Sequence, residues 1–296
     1  MKLVTFPNMG NTCYINSVLQ CFLYNPYFQK YCAIPELRNI IAHIDLRGSE
    51  RKCFQYNLLP FINFFFEKKT NFKRFEQSDA HEFLMEFLDI LMEGSGNESF
   101  ESENEHWDSF MQSHKGNPFI KYYGQSKLHI KCNDCKKSKD VFEEYNTIHL
   151  PVSGKCITSL FMEYLKKETI NDVSNLYQCD TCNAQTISDR KITLSVLPDT
   201  LILILKRYSQ TGTKIEYEIK LDKTLHIKNK DVVKEYTLQS VVNHYGNLYD
   251  GHYTANVFLD NEWFSIDDNS ITGIDSLDTS NAYILFYSSV NITLPR

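Results

Sequence analysis

The sequence predicts an α+β protein in which a helical first third packs on a large antiparallel sheet. Three observations lead there. Apolar residues recur at helical spacing in the first third, and β-branched and aromatic runs fill most of the rest. No apolar run approaches the length of a membrane span. The 296 residues, with 20 Phe and 18 Tyr, can bury a sizeable core as one large domain or two ordinary ones.

The first helix follows Cys13, where Ile15, Val18, Leu19, Phe22 and Leu23 share a face; Asn25-Pro26 ends it. "FQYNLLPFINFFFEKK" reads as a helix that starts or kinks at Pro60. Between Asp79 and Met92, Phe83, Leu84, Phe87, Leu88 and Leu91 form another apolar face, with Ser78 as the expected N-cap. The acidic, glycine-containing stretch from Glu93 to Glu105 reads as a surface loop. A further helix is expected near Ser159 to Lys167.

Strands follow at "LHIKC", "TLSVL", "TLILILKRY", "IEYEIKL", "HYTANVF", "EWFSI" and "AYILFY". Leu201 to Leu205 is uninterrupted apolar, as in a strand covered on both faces. Ile215, Tyr217, Ile219 and Leu221 alternate, as in a half-exposed strand.

Net charge of -6 argues against a non-specific nucleic-acid binder. Nine cysteines could build a disulfide framework. The odd count, the chain length and an N-terminus without an apolar leader favour reduced thiols in a cytosolic or nuclear compartment.

Four of those cysteines form two pairs, Cys132-x-x-Cys135 and Cys179-x-x-Cys182, each in a polar turn at a strand end. Two such knuckles on neighbouring hairpins can bring four thiolates to one structural Zn²⁺. Redox-active pairs and unligated thiols are the alternatives, but neither pair opens a βαβ helix as a thioredoxin-like motif does. A nucleic-acid zinc ribbon would need a basic stripe, and only "KCNDCKKSK" is basic.

Cys13 sits between the turn-forming "PNMGNT" and the first helix. A thiol is mostly un-ionised at neutral pH unless a helix N-terminus or a nearby imidazolium lowers its pKa. The imidazole is expected from "DGHYTANVFLDNEWFSIDD". With a hairpin turn near Leu259-Asp260, His252 falls opposite Asp267, or its neighbour Asp268 if the register slips. That is the arrangement of a general base with one ring nitrogen held and the other free. The bland readings are a small buried cysteine, a satisfied histidine and a turn or cap carboxylate.

With these residues in view, the chain resembles the ubiquitin-specific proteases, a papain-like family of cysteine deubiquitinases. "NMGNTCYINSVLQCF" resembles the family's cysteine box and "QSDAHEFLMEFLDIL" its Gln-Gln-Asp-Ala-His-Glu-Phe box. The CxxC pairs resemble its zinc ribbon, "LPDTLILILKRYS" the strand ending in Leu-Lys-Arg-Phe, and "DGHYTANV", "WFSIDD" and "AYILFY" its histidine box and closing strands. The matches run in order from Pro7 to Tyr287.

The resemblance implies a single, bare catalytic domain over residues 1–296. A helical thumb would span about 1–116, zinc-ribbon fingers about 118–195, and an antiparallel β palm about 196–290. Cys13 would be the nucleophile, His252 the general base, Asp267 its orienter and Asn8 the oxyanion-hole donor. Gln77, Asp79 and Tyr253 would receive the ubiquitin tail, and Asn243 to Gly251 would be a mobile loop closing over it. One structural zinc per chain would sit on Cys132, Cys135, Cys179 and Cys182. The implied partners are ubiquitin and ubiquitylated proteins, with no nucleic acid and no membrane.

Three departures stand out. Ser78 replaces the second Gln of the box, Tyr208 replaces Phe, and "IKLDKTLHI" lacks the usual Pro. A non-catalytic ubiquitin-binding relative would show a damaged triad. A protease for another ubiquitin-like modifier would differ in the tail channel, and a papain-like endopeptidase would carry a leader and pro-segment.

Overall fold

The computed structural model describes residues 2–44, 52–93, 103–209, 211–229, 232–247 and 250–289. The helical part opens with strand β1 (Lys2–Thr5), followed by α1 (Cys13–Leu23), α2 (Pro26–Tyr31) and α3 (Pro35–Ile41). Strand β2 (Lys52–Gln55) then pairs in parallel with β1. Phe54 and Gln55 therefore belong to a strand, and α4 (Leu59–Lys68) starts next to Pro60. Helix α5 (Ala80–Met92) is capped by Asp79, not Ser78: its carboxylate accepts the His81 N–H at 2.6 Å. Of the acidic stretch after it, residues 94–102 lie outside those described, and Glu103 already opens α6 (Glu103–Ser113).

Next come β3 (Gly124–Cys132), β4 (Ser138–Tyr145), β5 (Thr147–Pro151), α7 (Ile157–Tyr164), β6 (Glu168–Ile170), β7 (Tyr177–Cys179), β8 (Ala184–Thr186) and β9 (Ser188–Val196). The chain finishes with β10 (Thr200–Lys206), β11 (Thr224–Asn229), β12 (Val232–Gly246), β13 (Gly251–Leu259), β14 (Glu262–Asp267), β15 (Ser270–Ile274) and β16 (Ala282–Ser288). A four-stranded sheet runs β4-β3-β9-β6, and β7-β8 is a separate hairpin. The eight-stranded sheet runs β15-β14-β13-β12-β16-β10-β5, with β11 also on β12. Within the 118–195 stretch, β5 joins this larger sheet, and α7 packs on its core.

The larger sheet separates two cores. Ile202 and Ile204 of β10 face the helices, while Leu201, Leu203 and Leu205 face the opposite core under α7. Strand alternation with both faces covered accounts for the unbroken apolar run. Every residue of α1 is buried between the sheet, α5 and β1. Its polar side chains donate to internal partners: Gln20 to the Val4 carbonyl at 3.1 Å, and Asn16 to the Asp268 carboxylate at 2.8 Å and the Phe6 carbonyl at 3.4 Å. A helix buried all round needs such internal partners for each polar side chain.

The expected strand at 215–221 is not one. Ile219 is buried, but Tyr217, on the same expected face, is exposed, so the alternation does not hold along the segment. The backbone pairs instead with a side chain. Arg207, 1% exposed, donates to the carbonyls of Ile215 (3.1 Å), Tyr217 (2.9 Å), Thr279 (2.8 Å) and Ala282 (2.7 Å). The guanidinium's rigid fork of donors does the work of a neighbouring strand. Arg207→Met should therefore lower unfolding free energy by about 3 kcal/mol or more, because it strands several buried carbonyls. Urea denaturation of the two proteins measures this, and a loss under about 1 kcal/mol would mean that water replaces the guanidinium.

Candidate active site

Cys13 is the first residue of α1 and is 3% exposed. The loop before it is set by Asn8, whose side-chain oxygen accepts from the backbone N–H groups of Gly10 and Thr12, both at 3.1 Å. Gly10 has φ +94°, and a Cβ there would lie 2.6 Å from the Phe75 ring, so glycine is required on both counts. The thiol is pushed above its ordinary pKa. Burial is the main cause, and nearby Asp268 adds to it; the Tyr253, Tyr14 and Cys13 backbone N–H groups pull the other way. The sequence led us to expect a lowered thiol. The helix N-terminus does act on the sulfur, but desolvation outweighs it.

His252 reaches the site through β13. Its register with β14 differs from the sequence expectation. Asp260 and Asn261, both at positive φ, form the turn, and Ala255 faces Ile266, which puts Asp267 level with Thr254. His252 and Thr254 share a face, so the imidazole meets Asp267 diagonally. His252 Nε2 lies 2.6 Å from Asp267 Oδ1, leaving Nδ1 as the open ring nitrogen. The Cys13-facing Tyr253 N–H belongs to the residue next to His252, which ties the imidazole's position to the sulfur's.

Asp268 has a separate task. It sits at φ +47° in the turn between β14 and β15, with a carboxylate oxygen within 4.8 Å of Asp267 and of the His252 ring. Its carboxylate accepts from Asn8 Nδ2 at 3.0 Å and Asn16 Nδ2 at 2.8 Å, and its carbonyl accepts from the Phe6 N–H at 3.1 Å. The Asn8 amide thus keeps one N–H for another acceptor.

The segment before α5 also meets the sheet. Gln77 and the Gly251 backbone bond reciprocally, at 3.1 and 3.4 Å. Asp79 accepts from the Tyr283 hydroxyl at 2.9 Å and lies 3.5 Å from that of Tyr253. Burial drives both phenols well above their ordinary range. His244, missed in the sequence, stacks on Tyr253 at 4.5 Å between centroids and shares a 2.7 Å hydrogen bond with Tyr208. Burial lowers its pKa to about 4, so it is a neutral wall. Gly251 is again obligatory, since a Cβ would lie 2.2 Å from His244 Nε2. The expected mobile loop is largely strand: Asn243 to Gly246 extend β12, and Gly251 starts β13, while 248 and 249 lie outside the described residues.

A family model for ubiquitin carboxyl-terminal hydrolases matches residues 4–287. The chain belongs to this family. It is 27% identical to ubiquitin carboxyl-terminal hydrolase 23 of Arabidopsis thaliana over 95% of its own length and 35% of the relative's. It is 26% identical to the probable ubiquitin carboxyl-terminal hydrolase 8 of Schizosaccharomyces pombe over 95% and 63%. The chain therefore spans between a third and two thirds of the length of these curated relatives. Among solved structures, the yeast SAGA DUB module with an Sgf73 mutant overlays with TM-score 0.72 at 23% identity, covering 97% of this chain and 68% of the other. The Ubp8/Sgf11/Sus1/Sgf73 module bound to ubiquitin aldehyde gives 0.70 at 23%, covering 97% and 69%. The fold is thus the papain-like ubiquitin-specific protease type.

The four cysteines of the two pairs also meet. All four sulfurs lie within 4.8 Å of one another, with Cys132–Cys182 at 3.9 Å and Cys135–Cys179 at 3.7 Å. A tetrahedron of Zn–S bonds of about 2.3 Å sets sulfurs about 3.8 Å apart, so the cluster fits zinc. The two knuckles share a backbone shape: Lys136 and Asn183, each just after its second cysteine, both have positive φ. No helix of the described residues is long and apolar enough to cross a membrane.

Two measurements follow. Purified protein should carry about one zinc per chain by metal analysis, and stripping it should lower the melting temperature. Metal-free protein of unchanged stability would refute the clip. Alkylation of Cys13 by iodoacetamide, followed by peptide mass mapping, should rise with pH through about 8.5 and beyond, because a raised thiol ionises late. A rate already flat from about pH 6 would mean a preformed thiolate.

Proposed function

We propose that the chain is a cysteine-type deubiquitinase that hydrolyses the isopeptide or peptide bond after ubiquitin's C-terminal glycine. The observation that carries this is one seam bringing together Cys13 at a helix start, His252 held by Asp267, and the Asn8 amide. The names of its relatives point to ubiquitin as substrate, and the reducing compartment expected from the cysteines suits a thiol enzyme.

In the proposed reaction His252 takes the Cys13 proton, and the sulfur attacks the glycine carbonyl, forming a C–S bond. The oxyanion is stabilised by the free N–H of Asn8. Its collapse breaks the C–N bond, and His252 hands its proton to the leaving amine. Water, deprotonated by His252, then cleaves the thioester, releasing the ubiquitin carboxylate and restoring the thiol. Asp267 fixes the ring throughout.

The channel of Gln77, Asp79 and Tyr253 would take the ubiquitin tail. Asp79 already caps α5 and receives Tyr283, so a tail arginine would join a preorganised carboxylate. The helical part would act as thumb, the zinc-bearing hairpins as fingers and the larger sheet as palm, with the four cysteines holding a structural zinc. All four positions of that ion would be filled by protein, so it would take no part in the chemistry.

The test is a ubiquitin carrying a C-terminal electrophile. It should label the chain once, at Cys13, and Cys13→Ala should abolish both labelling and hydrolysis of a ubiquitin fluorogenic amide while keeping the wild-type melting curve. Labelling at another cysteine, or appreciable turnover by the mutant, would overturn the assignment.

A further inference from the structure

Away from the proposed catalytic seam, β9 and β11 face each other across a cavity of about 370 Å³, within the span of ligand-binding pockets. Both strands show an open edge to it. β9 pairs with β3 along its length, but on its other side β6 covers only 188–190. β11 pairs with β12 alone. The two edges are tied where Asn229 Nδ2 donates to the Ser195 carbonyl at 2.8 Å, and the cavity lies against this tie. Backbone groups along 191–195 and 224–229 therefore lack a strand neighbour on that side among the described residues.

The cavity's lining combines apolar and cationic side chains. Leu165, Leu194 and Ile227 contribute apolar surface, and Lys127, Lys191 and Lys228 bring three ammonium groups. Lys127 is paired with Asp140 at 3.4 Å, whereas Lys191 and Lys228, one on each wall, have no carboxylate partner among the described residues. The remaining lining residues are uncharged, on a chain whose net charge is -6.

We infer that this notch docks an extended acidic segment of a partner protein, added as a strand to the open edge of β9. Main-chain hydrogen bonds to the edge supply sequence-independent affinity, and pockets for alternate side chains supply selection. Here the apolar surface takes an aliphatic side chain, and Lys191 and Lys228 take carboxylates on either side of it. The edge residues 191–194, ahead of the Asn229 tie at Ser195, match a bound strand of about four residues, roughly 13 Å long. The competing explanation is that the lysines only discourage edge-to-edge pairing between copies of the chain. The inference is independent of the proposed catalytic activity.

The probe is a fluorescein-labelled heptapeptide alternating glutamate and valine, compared with one alternating lysine and valine. Fluorescence anisotropy with the full chain should show binding of the acidic peptide alone, weakening as salt rises. Hydrogen-exchange mass spectrometry should show slowed exchange at 191–195 and 224–229. The double variant K191E/K228E should bind about tenfold more weakly or worse, while Lys30→Glu on α2 binds as wild type. Melting curves of both variants confirm folding. No binding, equal binding of both peptides, an unaffected double variant or protection elsewhere would overturn the inference and leave the lysines as edge guards. The same protection from ubiquitin, or concentration-dependent self-association lost in K191E/K228E, would overturn it in favour of that other occupant.

Discussion

The carboxylate of Asp268 accepts hydrogen bonds from Asn8 and Asn16, and its backbone carbonyl accepts one from Phe6. One turn residue on the sheet thereby fixes the loop before Cys13 and the first turn of the helix that carries it. The site needs this because its parts come from opposite ends of the chain and from different layers. Cys13 belongs to a helix that packs against β13 and β12, whereas His252 and Asp267 belong to the sheet itself. Apolar packing alone would let α1 slide along the sheet, since it is non-directional. Directional bonds from three residues to Asp268 set the register of helix against sheet.

Adjacent aspartates divide the work although their carboxylates and the His252 ring lie within 4.8 Å of one another. Asp267 turns to His252, and Asp268, at φ +47°, turns to Asn8 and Asn16. In the sequence the pair is visible, but the hairpin register offers Asp268 only as an alternative orienter. Its real position depends on contacts with residues at the other end of the chain, which no local pattern encodes. The imidazole–carboxylate contact was legible because it survives a register error. A shift of the hairpin turn from Leu259-Asp260 to Asp260-Asn261 moves Asp267 to a diagonal neighbour on the same face, still within reach of His252. A shift of a single residue in pairing would have sent it to the other face.

Other features were legible or hidden for equally particular reasons. The α1 and α5 stripes and the unbroken β10 run are strong periodic signals, and each became the element expected. The two CxxC pairs carry their own spacing, and their sulfurs meet. The 215–221 segment misled because its apolar spacing fits a strand, whereas Tyr217 is exposed and Arg207 takes the carbonyls a strand would have used. Ser78 looked like a cap, but Asp79 has the carboxylate at the position where the His81 N–H needs it. His244 and Tyr283 had no sequence signature at all. They come together only because β12 and β16 are neighbours in the sheet, where Tyr283 meets Asp79, and His244 stacks on Tyr253.

The electrostatics of Cys13 bear on how a nucleophile would work here. Burial and Asp268 hold the thiol above its ordinary value although three backbone N–H groups favour the thiolate. Such a sulfur stays protonated at neutral pH, which protects it from adventitious oxidation, since the thiolate is the reactive form. It also retains intrinsic nucleophilicity, which declines as thiol pKa falls. On the proposed mechanism the proton then leaves only as His252 accepts it, with the open Nδ1 as the receiving atom and Asp267 steadying the charged ring. The same backbone N–H groups that are outweighed in the free chain become more effective as negative charge grows on the sulfur in a site screened from water. Burial that looks like a handicap for a standing thiolate is therefore compatible with, and suited to, a thiol ionised only in the course of attack.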